Sequence, residues 1–458
     1  MASPINHAPA SQNRWAARPP TGPRTASWLA IAATSRGGAT CHGYGVAYRL
    51  GKRGRTLRKV PGQVNANCTP LARSSLLMAA LLMSPSRRRC RLECRPPAGR
   101  PGSLAAQGSI DFRTSKHRTT AMRCYTVNGQ GLDQLTLAER PEPKPGPREV
   151  VVDVHAVSLN YRDLMVADGR YGGPQDPAII ATSDMAGVVA EVGPEVSELQ
   201  VGDRVLNAPF RHWPAGTLRR DWSKTFVGGQ GLDGMLAEQV VYPAEALVAV
   251  PEHLSFSEAA TLPVAGLTAW ASVVTHGQTR PGEWVLIHGT GGVAIFAMQL
   301  SQLLGARSIV TTSSPDKAER VGREFGVAAT VDYREPDWPR QVREITGGAG
   351  VDVVVEVAGG DSLSGSLAAA AYGARIALIG VLAGSEAQID VFSALMRQIT
   401  VRGIYMESTE ELRRFAAAVC ASGLRPVVDR VFPFDAAREA YEHLASGGHL
   451  GKVCIQVR

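Results

Sequence analysis

Two patterns of apolar and polar positions divide the chain. Between Met122 and about Val250, short Val-rich runs alternate apolar with polar residues, as in EVVVDVHAVSL (149–159) and AGVVAEVG (186–193). Turn-forming stretches such as PEPKPGPRE and LQVGDRV separate them. A period of two marks half-buried strands, so this part predicts a small β-barrel or sandwich. After Pro251 the strands become apolar throughout and alternate with helical segments: WVLIHG, VAIFAMQLSQLLGA, SIVTTSS, PDKAERVGREFGV, ATVDY, DVVVEVAG and ARIALIGV. Strands apolar on both faces, with helices between them, predict a doubly wound parallel α/β sheet.

Upstream of Met122 neither period holds. Residues 1–121 are rich in Arg, Ser, Pro and Ala and predict a disordered basic leader. Its one apolar run, LLMAALLM (76–83), is too short to span a bilayer. The leader carries 20 Lys and Arg against Glu93 and Asp111, a net of +18, which leaves 122–458 at −10. The acidic body argues against nucleic acid as a partner, and no membrane segment is evident. Two origins of the leader stay open: a transit peptide, or an upstream extension of the reading frame ahead of Met122. The expected location is cytoplasmic, or mitochondrial if the leader is a genuine transit peptide. Four of the seven cysteines lie in the leader; Cys124, Cys420 and Cys454 form neither a disulfide framework nor a metal motif.

The most specific motif joins WVLIH to its helix. Gly289-Thr-Gly291-Gly292-Val293-Ala294 fits the G-x-G-x-x-G/A pattern of dinucleotide sites, with strand before and helix after. Gly289 permits the tight turn, Gly291 lets backbone approach a pyrophosphate, and Ala294 lets helix pack on strand. Gly289, Gly291, Gly292 and Val293 are expected to hold the pyrophosphate on the helix N-terminus. The next strand ends in Thr312, Ser313 and Ser314, with Lys317 one turn on and no acid at the strand end. Hydroxyls and a cation suit a 2′-phosphate, so NADP is the expected cofactor, with Ser313, Ser314 and Lys317 binding it. Asp316 reads as an ordinary first-turn acid.

These features, with VSLNYRDL (157–164), SDMAGVVAEVG (183–193), VGDRV (201–205), EAATLPVAGLTAW (258–270), VVEVAGG (354–360) and GGHLGKVCIQV (447–457), make the chain resemble the medium-chain dehydrogenase/reductases. Within them it resembles the zinc-independent quinone oxidoreductase-like branch. The resemblance implies a GroES-like β catalytic domain over 122–250, completed by about 410–458, and a Rossmann domain over 251–409. Asn160, Ser183 and Val264 occupy the places of the catalytic zinc ligands, and 207–235 lacks the cysteines of a structural zinc lobe. No metal is expected. The body's histidines have no ligand spacing; His212 is the one worth following, because it lies in an aromatic loop.

The resemblance also places Asn160, Asp163 and Tyr171 near nicotinamide and substrate, with Tyr171 able to donate to a developing enolate or phenolate oxygen, and Thr268 on the nicotinamide side. Asp163 reads as a brace of its turn, and Asn160 equally as a turn residue. Tyr333 is a further candidate for the 2′-phosphate, while Gly359, Gly380 and Val381 end later strands at the cleft. The segment 207–234, with Phe210, Trp213, Trp222 and Phe226, is either a wall of the substrate pocket or packing on the barrel or at a subunit contact. Without a Lewis acid, hydride addition to a conjugated acceptor is easier than reaction at an isolated carbonyl. The expected function is NADPH-dependent reduction of a quinone or activated C=C bond in a small molecule, by a homodimer. The alternatives are a metal-free alcohol dehydrogenase or carbonyl reductase, and a non-enzymatic dinucleotide-binding scaffold.

Overall fold

The computed structural model describes residues 40–43, 46–50, 57–59 and 121–458. The chain divides into two units, Met1–Ala80 and Leu81–Arg458. In the first, strands Thr40–Gly43, Val46–Leu50 and Leu57–Lys59 form an antiparallel three-stranded sheet. Apart from these strands and Ala121, the expected disorder of the leader lies outside the described residues.

In the second unit the alternating runs form a seven-stranded sheet centred on Glu149–Leu159. Asp184–Val192 and Gln239–Pro243 pair with that strand antiparallel, and so does Lys452–Gln456 from the far end of the chain. Val-rich alternation buries Val150, Val152 and Val154 at 0% exposure. The register aligns Ser158 with both Asp184 and Cys454. Three strand ends therefore meet at one place, which becomes the site.

The second half forms a six-stranded parallel sheet in which Trp284–His288 lies between Arg307–Thr311 and Val351–Glu356. Outward from there run Ala329–Val331 on one side, and Ala370–Leu378 then Thr400–Gly403 on the other. Strand order therefore reverses beside Trp284–His288, where open α/β sheets bind ligands. This is the doubly wound α/β fold, joined to a GroES-like β domain.

Local chemistry sets the helix ends. Ser314 caps Pro315–Phe325, its Oγ accepting the Lys317 N–H at 3.3 Å; Pro315 opens the helix and Gly326, at φ 59°, ends it. The strand expected through Ser314 thus stops at Thr311. Helix Gly292–Leu303 is apolar nearly all round and buries Ile295, Phe296 and Met298. Before it, Leu262–Gly266 and Ala271–Thr275 wind as widened π turns around helix Leu267–Trp270. Among the described residues, no helix is long and apolar enough to cross a membrane.

Candidate active site

Asn160 follows Glu149–Leu159 and precedes helix Tyr161–Ala167. Its N–H donates to Asp163 Oδ2 at 2.8 Å, which makes Asp163 the brace expected of it. The Asn160 side chain is spent elsewhere. Its Oδ1 accepts from Lys452 Nζ at 2.6 Å, and its Nδ2 donates to Asp184 Oδ2 at 2.9 Å. The same carboxylate oxygen accepts the Val264 N–H at 3.3 Å, and Lys452 also donates to the Leu159 carbonyl.

Asn160, Asp163, Asp184 and Lys452 are all under a tenth exposed. Burial raises the Asp184 carboxyl to about 7, against the opposing pull of Lys452 and the Asn160 amide. Desolvation likewise pushes the Lys452 ammonium below its usual range, and Asp184 opposes it. No sequence motif singles out Asp184 and Lys452 as site residues, because both act through Asn160, 24 and 292 residues away.

The three zinc-ligand places do not make a zinc site. Val264 has no donor, the Asn160 amide is committed on both sides, and Ser183 offers one neutral hydroxyl. Among the described residues no group of three or more His, Cys, Asp or Glu could hold a metal. Val264 instead belongs to an apolar cluster with Phe210, Trp213, Phe226 and Met406. The aromatic loop thus packs, through Phe210, Trp213 and Phe226, on Val264 and Met406. His212, on the same loop, is exposed and outside this cluster.

Tyr171 and Tyr405 pack against that cluster, with their hydroxyls hydrogen-bonded to each other. Arg162 covers the Tyr171 ring at 4.9 Å and the Phe226 ring at 3.9 Å. Burial and the Tyr171 hydroxyl hold the Tyr405 phenol well above its ordinary range, so it stays neutral. Tyr405 was missed. Its signal was topological: it lies just past Thr400–Gly403, at the end of the sheet where ligands gather.

The dinucleotide turn has the expected shape. Gly289 has φ 77°, and a Cβ there would meet nothing within 4 Å. On Gly291 a Cβ would meet only His449 Nε2, at 4.0 Å, whereas on Gly292 it would collide with Lys452 Cδ. Open backbone thus lies at the N-terminus of helix Gly292–Leu303, and Val293 is in its first turn. Thr268 Oγ1 and Ser183 Oγ are among the buried hydroxyls that have no hydrogen-bond partner. These features fit a nicotinamide dinucleotide. Gly359 (φ 66°) and Gly380 bring two strand ends into backbone contact, and Val381 is 48% exposed beside them.

Ser313 and Tyr333 come together, Oγ to OH at 3.1 Å. Lys317 does not join them through its ammonium, which donates to the carbonyls of Gly447 and His449 at 2.7 and 2.9 Å. Burial lowers its pKa. The cation beside Ser313 is Arg334, which reaches the Ser313 carbonyl at 3.0 Å and pairs with Asp332. The sequence points to its neighbour Tyr333 but not to Arg334, whose contact with Ser313 spans 21 residues.

Two mated domains and a glycine turn opening onto a helix N-terminus define a nicotinamide-dependent oxidoreductase. Family models agree: residues 146–252 match the alcohol dehydrogenase GroES-like domain, and residues 292–422 match the zinc-binding dehydrogenase domain. A zinc-type alcohol dehydrogenase-like protein of Schizosaccharomyces pombe is 38% identical over 343 residues, covering 73% of this chain and 99% of the relative. Human quinone oxidoreductase is 26% identical over 350 residues, covering 75% and 99%. A solved NAD-dependent alcohol dehydrogenase superposes with TM-score 0.66 at 35% identity, covering 74% and 100%. The chain belongs to the medium-chain dehydrogenase/reductase superfamily.

Proposed function

We propose that this oxidoreductase uses NADPH, without a metal, to reduce a quinone or the activated C=C bond of a conjugated carbonyl compound. The observation that carries the reading is the Tyr171–Tyr405 hydroxyl pair against an aromatic cluster that includes the apolar Val264. The bound cofactor supplies the hydride. Tyr405, held neutral, donates to the Tyr171 oxygen and frees the Tyr171 proton to bond the oxygen on which charge develops. Fixed donors in a dry pocket stabilise such charge without reorganising. Phe210 and Phe226 back the tyrosine pair with an apolar aromatic surface suited to a flat conjugated acceptor, and Asn160 is held rigid between Lys452 and Asp184. Thr268 Oγ1 and Ser183 Oγ remain to hold the nicotinamide amide.

Preference for the 2′-phosphate rests on Ser313, Tyr333 and Arg334. Assembly as a homodimer is supported by the exposed edge strand Thr400–Gly403 and the adjoining helix Val391–Met396, where Phe392 and Leu395 are 70% and 69% exposed. Sedimentation at micromolar concentration tests it, with a monomer as the contrary result.

NADPH consumption with matched quinones, enones, aldehydes and alcohols tests the activity. Quinone or enone turnover unaffected by chelators is expected. Turnover confined to alcohols and aldehydes would favour the chemistry named in the S. pombe relative, and tight NADPH binding without turnover would leave a scaffold.

A further inference from the structure

The segment GGHLGK (447–452) lies over the dinucleotide turn. Gly451 and Gly291 form a parallel bridge, and Gly451 N–H donates to the Thr290 carbonyl at 3.1 Å. Lys452 packs on Gly292. His449 Nε2 faces the open space over Gly291, while its Nδ1 is buried without a partner. The segment is tied down from behind, since Lys317 holds the carbonyls of Gly447 and His449, and Asp429 Oδ1 accepts the Leu450 N–H at 3.1 Å. The imidazole is therefore held at the wall of the space where a pyrophosphate would rest on Gly289–Gly292.

We propose that His449 is a cofactor-binding residue that donates from Nε2 to the pyrophosphate and takes up one proton when the pyrophosphate binds. The charged and titratable groups facing it are Lys317, Lys452, Asp429 and His443. Asp429 is already engaged by His443 Nε2 at 2.8 Å. With the cleft empty, burial and then the two lysines push the imidazole down to about 4, so it is neutral near pH 7. An anionic pyrophosphate against Nε2 offsets the lysines, and an opposite charge within about 4–6 Å raises such a pKa by about 1–3 units. The bound form thus gains a proton that the empty form lacks, and affinity rises as pH falls between the two pKa values.

ADP-ribose is the probe, because it carries the pyrophosphate without the 2′-phosphate, whose own titration would intrude. Calorimetry in two buffers of different ionisation enthalpy should show uptake approaching one proton per site near pH 6. Affinity should tighten by about tenfold or more from pH 8 to 5.5. His449→Gln keeps the backbone carbonyl that Lys317 uses, so it should bind ADP-ribose with a flat pH profile; His443→Gln should retain the slope. In the unsubstituted protein, imidazole NMR should place His449 near its low value when empty and well above it with ADP-ribose. Binding without proton uptake, a slope that survives His449→Gln, or an imidazole shift unmoved by ADP-ribose would each overturn the proposal. Failure of ADP-ribose, NADH and NADPH all to bind would overturn the dinucleotide site itself.

Discussion

Around Asn160, the side chains of Asp184 and Lys452 are 0% and 3% exposed, whereas at the end of Arg307–Thr311 the side chain of Arg334 is 63% exposed and Tyr333 is 51% exposed. Both clusters combine a carboxylate, a cation and neutral hydrogen-bonding groups. In the first, desolvation governs: it raises Asp184 and lowers Lys452, and only the geometry through Asn160 holds the charges in place. In the second, water screens the Arg334–Asp332 pair, so the pair adds little to stability. The same chemistry is fixed by desolvation in the dry cluster and screened by solvent in the wet one.

Breaking the dry cluster should have the largest effect. Lys452→Met leaves Asp184, Asn160 Oδ1 and the Leu159 carbonyl without their cation, and removing one partner of a buried charge set costs about 3–5 kcal/mol. Urea unfolding measures it. A loss as small as that of a surface substitution would place Lys452 in the solvated class.

Tyr171→Phe comes next. It keeps the ring stacked with Arg162 but removes the proton donor, and loss of one such donor lowers kcat by about 10²–10³-fold. Substrate affinity should change little. An unchanged kcat would move the donor role away from the tyrosine pair.

The pH dependence of stability separates the clusters further. Burial raises the folded-state pKa of Asp184 from the ordinary aspartate range to about 7, so the native protein binds the proton more tightly than the unfolded chain does. Its contribution is fully present below the unfolded value and is lost as pH rises through about 7. Asp184→Asn should flatten the fall in stability between pH 5 and 8, followed by denaturant unfolding at each pH; Asp332→Asn should not alter it.

What could be read from the chain follows the same division. The apolar strands and the glycine turn depend on neighbours in sequence and appear where their residues predict them, save that the SIVTTSS strand ends at Thr311 because Ser314 caps the next helix. Edge strand Thr400–Gly403, exposed at every position, has no apolar signature. The Tyr171–Tyr405 pair spans 234 residues and Asn160–Lys452 spans 292, so no local period announces them. Lys317 was placed by its spacing from the strand end, which is local. That spacing is silent on the carbonyls of Gly447 and His449, contributed from 130 and 132 residues away.

The smallest effects belong to the wet cluster, and they test whether it selects the cofactor. Ser313 and Tyr333 offer neutral donors, and Arg334 adds a charge while covering the Asp332 carboxylate. Arg334→Ala therefore removes a cation and uncovers an acid; NADPH should weaken by about tenfold or less, given the exposure of the pair, with NADH little changed. Ser313→Asp should push the same way and turn the preference toward NADH, since the carboxylate repels a phosphate yet accepts a bond from a free ribose hydroxyl. Lys317→Ala supplies the contrast. If its ammonium serves only the carbonyls of Gly447 and His449, both cofactors should weaken alike, because both need the segment over the pyrophosphate. Dissociation constants for NADPH and NADH, measured on these three variants at one salt concentration, decide it: a Lys317→Ala loss confined to NADPH would return the 2′-phosphate to Lys317 and reduce Arg334 to a surface ion pair.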